Sequence, residues 1–332
     1  MSRVQFSGAR RAQSGFTLVE LMISLVLGLL VAGAAAGIFL SNQRTFRATD
    51  SLARIQENAR VAFELMARDV REAAGNPCGK NLPMANVLNG SSAGNAPWWM
   101  KWDQGIVGYD NGALAGSAGG TDALEFLAAG NSTVTVTQHD QQAGNPGSPA
   151  NFKVNTTTHG LRDNDIILVC DYTQASIVQL NKAADGNLTV EFNKGNATSP
   201  GNCTKGLGVP VICTANGSSK SYGPNSLVAK LYAVQWYVAD NGRGGRSLYR
   251  VYMDKGAPLP AEEVAEQVQD MQLSYLQAGG VGYVTAGAVT DWKSVVAVQI
   301  SLSMQGTTNV GEGRTQLKRT LTHVVTLRNR TS

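Results

Sequence analysis

Glu20 is the only charged side chain between Arg11 and Arg44, and it sits near the head of the apolar run from Gly15 to Leu40, GFTLVELMISLVLGLLVAGAAAGIFL. A charged group in hydrocarbon costs about 2.5–3.5 kcal/mol on insertion scales, so chains keep one mainly for function. Its chemistry would be ionic: pairing with a cation that is itself poorly solvated, or snorkelling to a membrane boundary. Other reactive groups are sparse. Cys78, Cys170, Cys203 and Cys213 form no CxxC, and His139, His159 and His323 are distant in sequence, which argues against a zinc site. Asp103, Asp110, Asp122 and Glu125 lie near glycines without EF-hand spacing, and read as solvated loop acids rather than calcium ligands. Gly242-Arg243-Gly244-Gly245 reads as a turn, and no nucleophile elbow, Walker A loop, HExxH or Rossmann fingerprint occurs. The chain reads as a non-enzyme without cofactor or metal.

The element that must position Glu20 is a helix long enough to cross a bilayer, with its transmembrane part at about residues 19–40. Arg3, Arg10 and Arg11 precede it without an acid. They should stay cytoplasmic and leave everything after Leu40 outside, which in a Gram-negative cell is the periplasm. The helix should continue beyond the membrane. Leu52, Ile55, Ala59, Phe63, Met66, Val70 and Ala73 recur at spacings of three and four as one stripe. Arg60 with Glu64 and Arg68 with Glu72 are among the i,i+4 charge pairs that support it. Gly75-Asn76-Pro77 is the expected stop. Gly28, Gly33 and Gly37 either permit close approach of neighbouring helices or reflect relaxed membrane composition.

Gly15, Phe16, Thr17, Leu18, Val19 and Glu20, behind a short basic leader, resemble the type IV prepilin signal. The resemblance implies a leader at residues 1–15, cut by a prepilin peptidase between Gly15 and Phe16. It also implies N-methylation of Phe16 and an assembly role for Glu20. A physical argument runs beside it. The new amine on Phe16 would titrate near about 7.7–8.0 and be mostly protonated. In a stack of subunits, pairing that amine with the Glu20 carboxylate of a neighbour relieves both desolvation penalties. Removing one partner of a buried pair costs roughly 3–5 kcal/mol, so the pair would fix axial register.

The remaining 76–332 reads as one globular, β-rich, loop-bearing domain behind a helix at 16–75, an α+β arrangement on an antiparallel sheet. Glycine is abundant at 37 residues, and the net charge of +4 is too small and scattered to suggest nucleic acid. Expected strands are 123–128, 133–137, 166–170, 268–276, 295–304 and 319–327. Strands 176–180 with 188–192, and 228–238 with 247–253, read as hairpins. Residues 261–267 read as a helical turn, and 193–224 as a long surface excursion. Three cysteine connectivities are open. Cys203 with Cys213 closes a short loop and is favoured, which leaves Cys78 with Cys170; a free thiol is the alternative. Trp98, Trp99 and Trp102 read as cover for a small core, with an exposed binding platform as the rival.

The order Leu248-Tyr249-Arg250, then Val268 to Leu273, a Val/Ile strand and Thr326 to Arg330 is similar to PilW-like minor pilins and reminiscent of larger minor pseudopilins. That resemblance implies a subunit inserted into, or priming, a type IV pilus. The expected partners are the prepilin peptidase, other major and minor pilins and the inner-membrane assembly platform. A minor pseudopilin of a type II secretion system is the alternative. A signal-anchored periplasmic binding protein, cut at Ala34-Ala35-Ala36, is the weaker one, because such a cut would behead the helix.

Overall fold

A computed structural model of the chain describes Gly15 and residues 17–331, apart from 76, 80, 81, 95, 103, 131, 132, 143, 146 and 310–314. Contacts divide the chain into two units, residues 1–53 with 308–317 and residues 54–307 with 318–332. One helix, α1 (Leu18–Glu72), runs for 55 residues. From Leu18 to Phe46 its residues are exposed, including Leu18 at 76% and Phe39 at 66%. Water would not tolerate such a surface, and the span is apolar and long enough to cross a bilayer. Ser24 and Thr45 satisfy their hydroxyls on the carbonyls of Leu21 and Ser41, at 2.9 and 3.1 Å.

Most of the expected stripe is buried: Ile55, Ala59, Phe63, Met66 and Val70 in α1, and Ala73 just past its end, are all 5% exposed or less, while Leu52 is half-buried. The helix ends slightly earlier than Gly75-Asn76-Pro77 suggested. Ala74 takes the left-handed conformation at φ 57°, and its N–H donates to Leu127 O at 2.8 Å. Gly105 makes room for this, because a methyl group there would stand 2.6 Å from the Ala74 Cβ. Asn76 lies outside the described residues.

The strands are β1 (Met84–Asn86), β2 (Ile106–Tyr109), β3 (Ala123–Ala129), β4 (Val134–Asp140), β5 (Ala150–Val154), β6 (Ile166–Cys170), β7 (Ala175–Gln179) and β8 (Thr189–Phe192). They continue with β9 (Leu227–Asp240), β10 (Arg246–Asp254), β11 (Ala257–Pro258), β12 (Glu262–Glu266), β13 (Val268–Gln277), β14 (Val295–Gln305) and β15 (Lys318–Thr326). The α+β expectation holds, but with two sheets rather than one, and with β1 and β7 running parallel. β9 is the spine of the larger sheet. Its first residues pair with β6 and β4, and the later ones with β3 and β10. β13, β14 and β15 form the second, antiparallel sheet.

Several local expectations change. The 228–238 and 247–253 hairpin is present as β9 and β10. The other expected hairpin is not: β7 pairs with β1 and β6, while β8 pairs with β5. The Ala184-Asp185-Gly186-Asn187 turn remains, and Lys182 bridges Glu191 across it, but the two strands hydrogen-bond to different neighbours. Residues 261–267 contain a strand, β12, because β10 offers a free edge there. The 193–224 excursion is partly internal. Asn202, Thr204, Lys205, Leu207 and Tyr222 are each 1% exposed or less. The Lys205 amine donates to the carbonyls of Gln142, Asn145 and Ser148 at 2.8, 2.8 and 3.1 Å. An ammonium can be buried only with its donors so occupied.

Disulfides join Cys78 to Cys170 and Cys203 to Cys213, with Cα separations of 5.9 and 4.8 Å. The first ties the chain just after α1 to β6. Trp99 and Met100 are buried in a cluster with Leu127, Leu168 and Ile177, and Trp98 and Trp102 pack on it. The tryptophans are core cover; the exposed platform finds no support in this packing.

Candidate functional site

The head of α1 is built as a reciprocal cap. The Thr17 hydroxyl oxygen accepts from Glu20 N at 3.3 Å, and the Glu20 Oε2 accepts from Thr17 N at 3.3 Å and from the Thr17 hydroxyl at 3.2 Å. Leu21 N donates to Thr17 O at 3.1 Å as the first helical bond. This is a capping box, in which two otherwise unpaired helix donors are satisfied by residues three apart. The negative carboxylate also sits where the helix dipole is positive. Among the described residues, Oε1 of Glu20 accepts no hydrogen bond, so the group keeps capacity for a further donor. Gly15 and Glu20 are both exposed. Phe16, the residue expected to carry the methylated amine, lies outside the described residues. Thr17 was missed as a contributor, although its T-x-x-E signal is legible in the sequence.

The far end of α1 is fixed by polar contacts. Asp69, 3% exposed, accepts from Arg250 at 2.6 Å and from the Trp236 indole at 3.0 Å. The Arg250 guanidinium also lies over the rings of Tyr252 and Trp236, at 4.0 and 5.2 Å from their centroids. Burial pushes the Asp69 carboxyl above its ordinary value, against the opposing pull of Arg250 and Trp236. Glu72 accepts from the Tyr232 hydroxyl at 2.6 Å. Periodicity placed Asp69 and Glu72 on the helix but gave no sign of these partners, which come from β9 and β10.

Two of the acids read as solvated loop groups are buried, and Asp110 is half-buried. Asp122 and Glu125 are 4% and 2% exposed. Asp122 accepts from Asn111 N and Leu273 N at 3.0 and 2.8 Å, and Glu125 from the Tyr109 hydroxyl and Gln235 Nε2 at 2.6 and 2.7 Å. Asp110 accepts from Ala286 N and Gly287 N at 3.0 and 2.8 Å. Burial raises the carboxyls of Asp122 and Glu125. These groups stitch β2 and β3 to β9, β13 and the 286–288 turn, because a buried carboxylate needs donors. Asp103 lies outside the described residues. A cleft of about 780 Å³ beside the end of α1 is lined by Arg68, Arg71, Glu72, Tyr232 and Arg328, and brings no nucleophile beside a base.

Residues 10–36 match the family described as "Prokaryotic N-terminal methylation motif", and residues 235–329 match the family described as "Type IV Pilus-assembly protein W". Together they support the class of type IV pilus-related, pilin-like proteins. Within it, the two matches at opposite ends of the chain support a PilW-like type IV pilin. The second match takes in Trp236 and Arg250, the residues that grip Asp69. No curated protein and no solved structure matches the chain. A single N-terminal apolar helix with this motif fits an inner-membrane-anchored protein.

Proposed function

We propose that this chain is a minor pilin, a non-enzymatic structural and assembly subunit of a type IV pilus. A prepilin peptidase removes residues 1–15 and methylates Phe16. The body, residues 76–332, then stands in the periplasm before the subunit joins other pilins at the inner-membrane platform and enters the fibre. Its bulk and loops suit a tip or priming position better than a repeated shaft position. The observation that carries the reading is Glu20. Oε2 is held by Thr17 at the head of an exposed apolar helix, while Oε1 has no donor among the described residues and can take one from elsewhere. The protonated amine of an adjoining subunit is such a donor, and the pair would set the axial step between subunits.

Mass spectrometry of the protein from cells should find N-methyl-phenylalanine at Phe16. Glu20→Ala should remain membrane-inserted and cleaved but be lost from purified filaments. Recovery of a chain that retains residues 1–15 from processing-competent cells, or normal incorporation of Glu20→Ala, would refute the reading. A type II secretion pseudopilin would use the same chemistry. Deletion separates the two, through loss of surface filaments in one case and loss of exoprotein release in the other.

A further inference from the structure

The second sheet ends on β15, and among the described residues no strand covers that edge. β14 and β15 pair without a bulge from Ala297 opposite Thr326 to Gln305 opposite Lys318. Leu327 N donates to Val296 O at 2.9 Å in the same register. Alternation along an antiparallel pair then turns the N–H and C=O groups of odd-numbered residues toward β14. Those of Thr320, Thr322, Val324 and Thr326 point outward, and they have no strand partner among the described residues. All four residues are exposed, and Val324 is 51% exposed. Their side chains share the face on which Thr322 and Thr320 bond Ser301 and Ser303, at 2.8 and 3.0 Å.

Sheet edges are normally guarded by inward charges, proline, bulges or a covering element. From Thr320 to Leu327 the sequence TLTHVVTL carries no proline and no Lys, Arg, Asp or Glu. The charges stand at the ends, with Lys318 and Arg319 before and Arg328 after. These cations choose the occupant. A second copy that paired the outward residues of both chains antiparallel, Thr320 opposite Thr326, would bring Lys318 beside Arg328, the first residue of a short helix after β15, at each end. Like charges brought together there are destabilising. A strand with acidic ends meets attraction there instead. We propose that the β15 edge receives an extended, uncharged strand with acidic flanks from another protein, which joins the β13–β14–β15 sheet through main-chain hydrogen bonds. This goes beyond the fibre reading and stands without it.

The test uses the full chain in detergent micelles and two synthetic peptides. One alternates Thr and Val between acidic pairs, and the other carries lysine pairs in their place. Hydrogen exchange across residues 318–327 is followed by mass spectrometry. The acidic peptide should slow exchange there by about tenfold or more, and the lysine peptide should not. Val324→Pro removes one outward N–H, and Thr322→Lys guards the edge with an exposed charge; each should abolish the slowing. The proposal is overturned by no slowing with the acidic peptide, by equal slowing with both, or by slowing that persists in both variants. Slowing that grows with protein concentration alone makes the occupant a second copy, and overturns it too.

Discussion

Removing the Asp69 carboxylate should loosen the second half of α1 from the body by a predictable amount. Asp69→Leu strands the Arg250 guanidinium, whose side chain is 11% exposed, and leaves the fully buried Trp236 indole without its acceptor. Breaking one side of a buried pair costs roughly 3–5 kcal/mol. The ring contacts of Arg250 with Tyr252 and Trp236 remain, which favours the lower part of that range. Arg250→Met with Asp69→Leu removes both charges and fills the space with apolar atoms. Such paired replacements are often neutral, so the main residue of cost is the orphaned indole N–H, about 1–3 kcal/mol. With each single near 3 kcal/mol, the double should cost less than the summed singles by about 3 kcal/mol or more. Urea denaturation of the full chain in detergent, followed by tryptophan fluorescence, reads all four corners. An Asp69→Leu cost under about 1 kcal/mol, or a double variant as costly as the summed singles, would show that the pair does not fasten the helix.

Burial holds the His139 imidazole down to about 4 against the opposing pull of Asp140, so it is neutral in the folded chain and protonates near 6.5 when unfolded. The sign follows: its contribution is complete above pH 6.5 and lost as pH falls toward 4, in all about 3 kcal/mol, and His139→Gln should flatten that window in pH-resolved urea melts. Burial would raise the Asp171 carboxyl, but Lys220 and the Thr173 and Gln174 donors outweigh it and hold the group at about 2. Asp171→Asn should accordingly remove about 1–2 kcal/mol of stability above pH 4 and little at pH 2, checked by the same melts. The Cys78–Cys170 bond spans 92 residues and the Cys203–Cys213 bond 10. On the chain-entropy account, serine replacement of the first pair should cost about 4–5 kcal/mol and of the second about 2.5–3 kcal/mol, a ranking that differential scanning calorimetry reads directly.

What was legible in the sequence was local. The apolar span, the stripe from Ile55 to Ala73 and the strands from Val268 onward are periodic patterns, and periodicity survives folding because it reports one face of one element. Partner choice was not legible. β7 and β8 look like a hairpin because a good turn lies between them, yet pairing was decided by strands more distant in the chain. β12 was missed because Glu262, Glu263 and Glu266 suit a helix, and only the free edge of β10 overrides that propensity. Acids near glycines read as solvent-facing, since nothing in the chain order announces that Leu273 N and Gln235 would come to meet Asp122 and Glu125. At the candidate site Glu20 was conspicuous, whereas Thr17 was hidden in a motif usually read for another purpose.

The grip on Asp69 also sets a waiting time. The residues that close it lie 167 and 181 positions further along the chain. Polypeptide emerges at about 5–20 residues per second, so Arg250 follows Asp69 by roughly 10–40 s. Until then the stripe from Ile55 to Ala73 has no body to lie on. A newborn chain thus spends its first half-minute as a tethered greasy rod, when a holdase or a foreign strand competes most easily with its own fold.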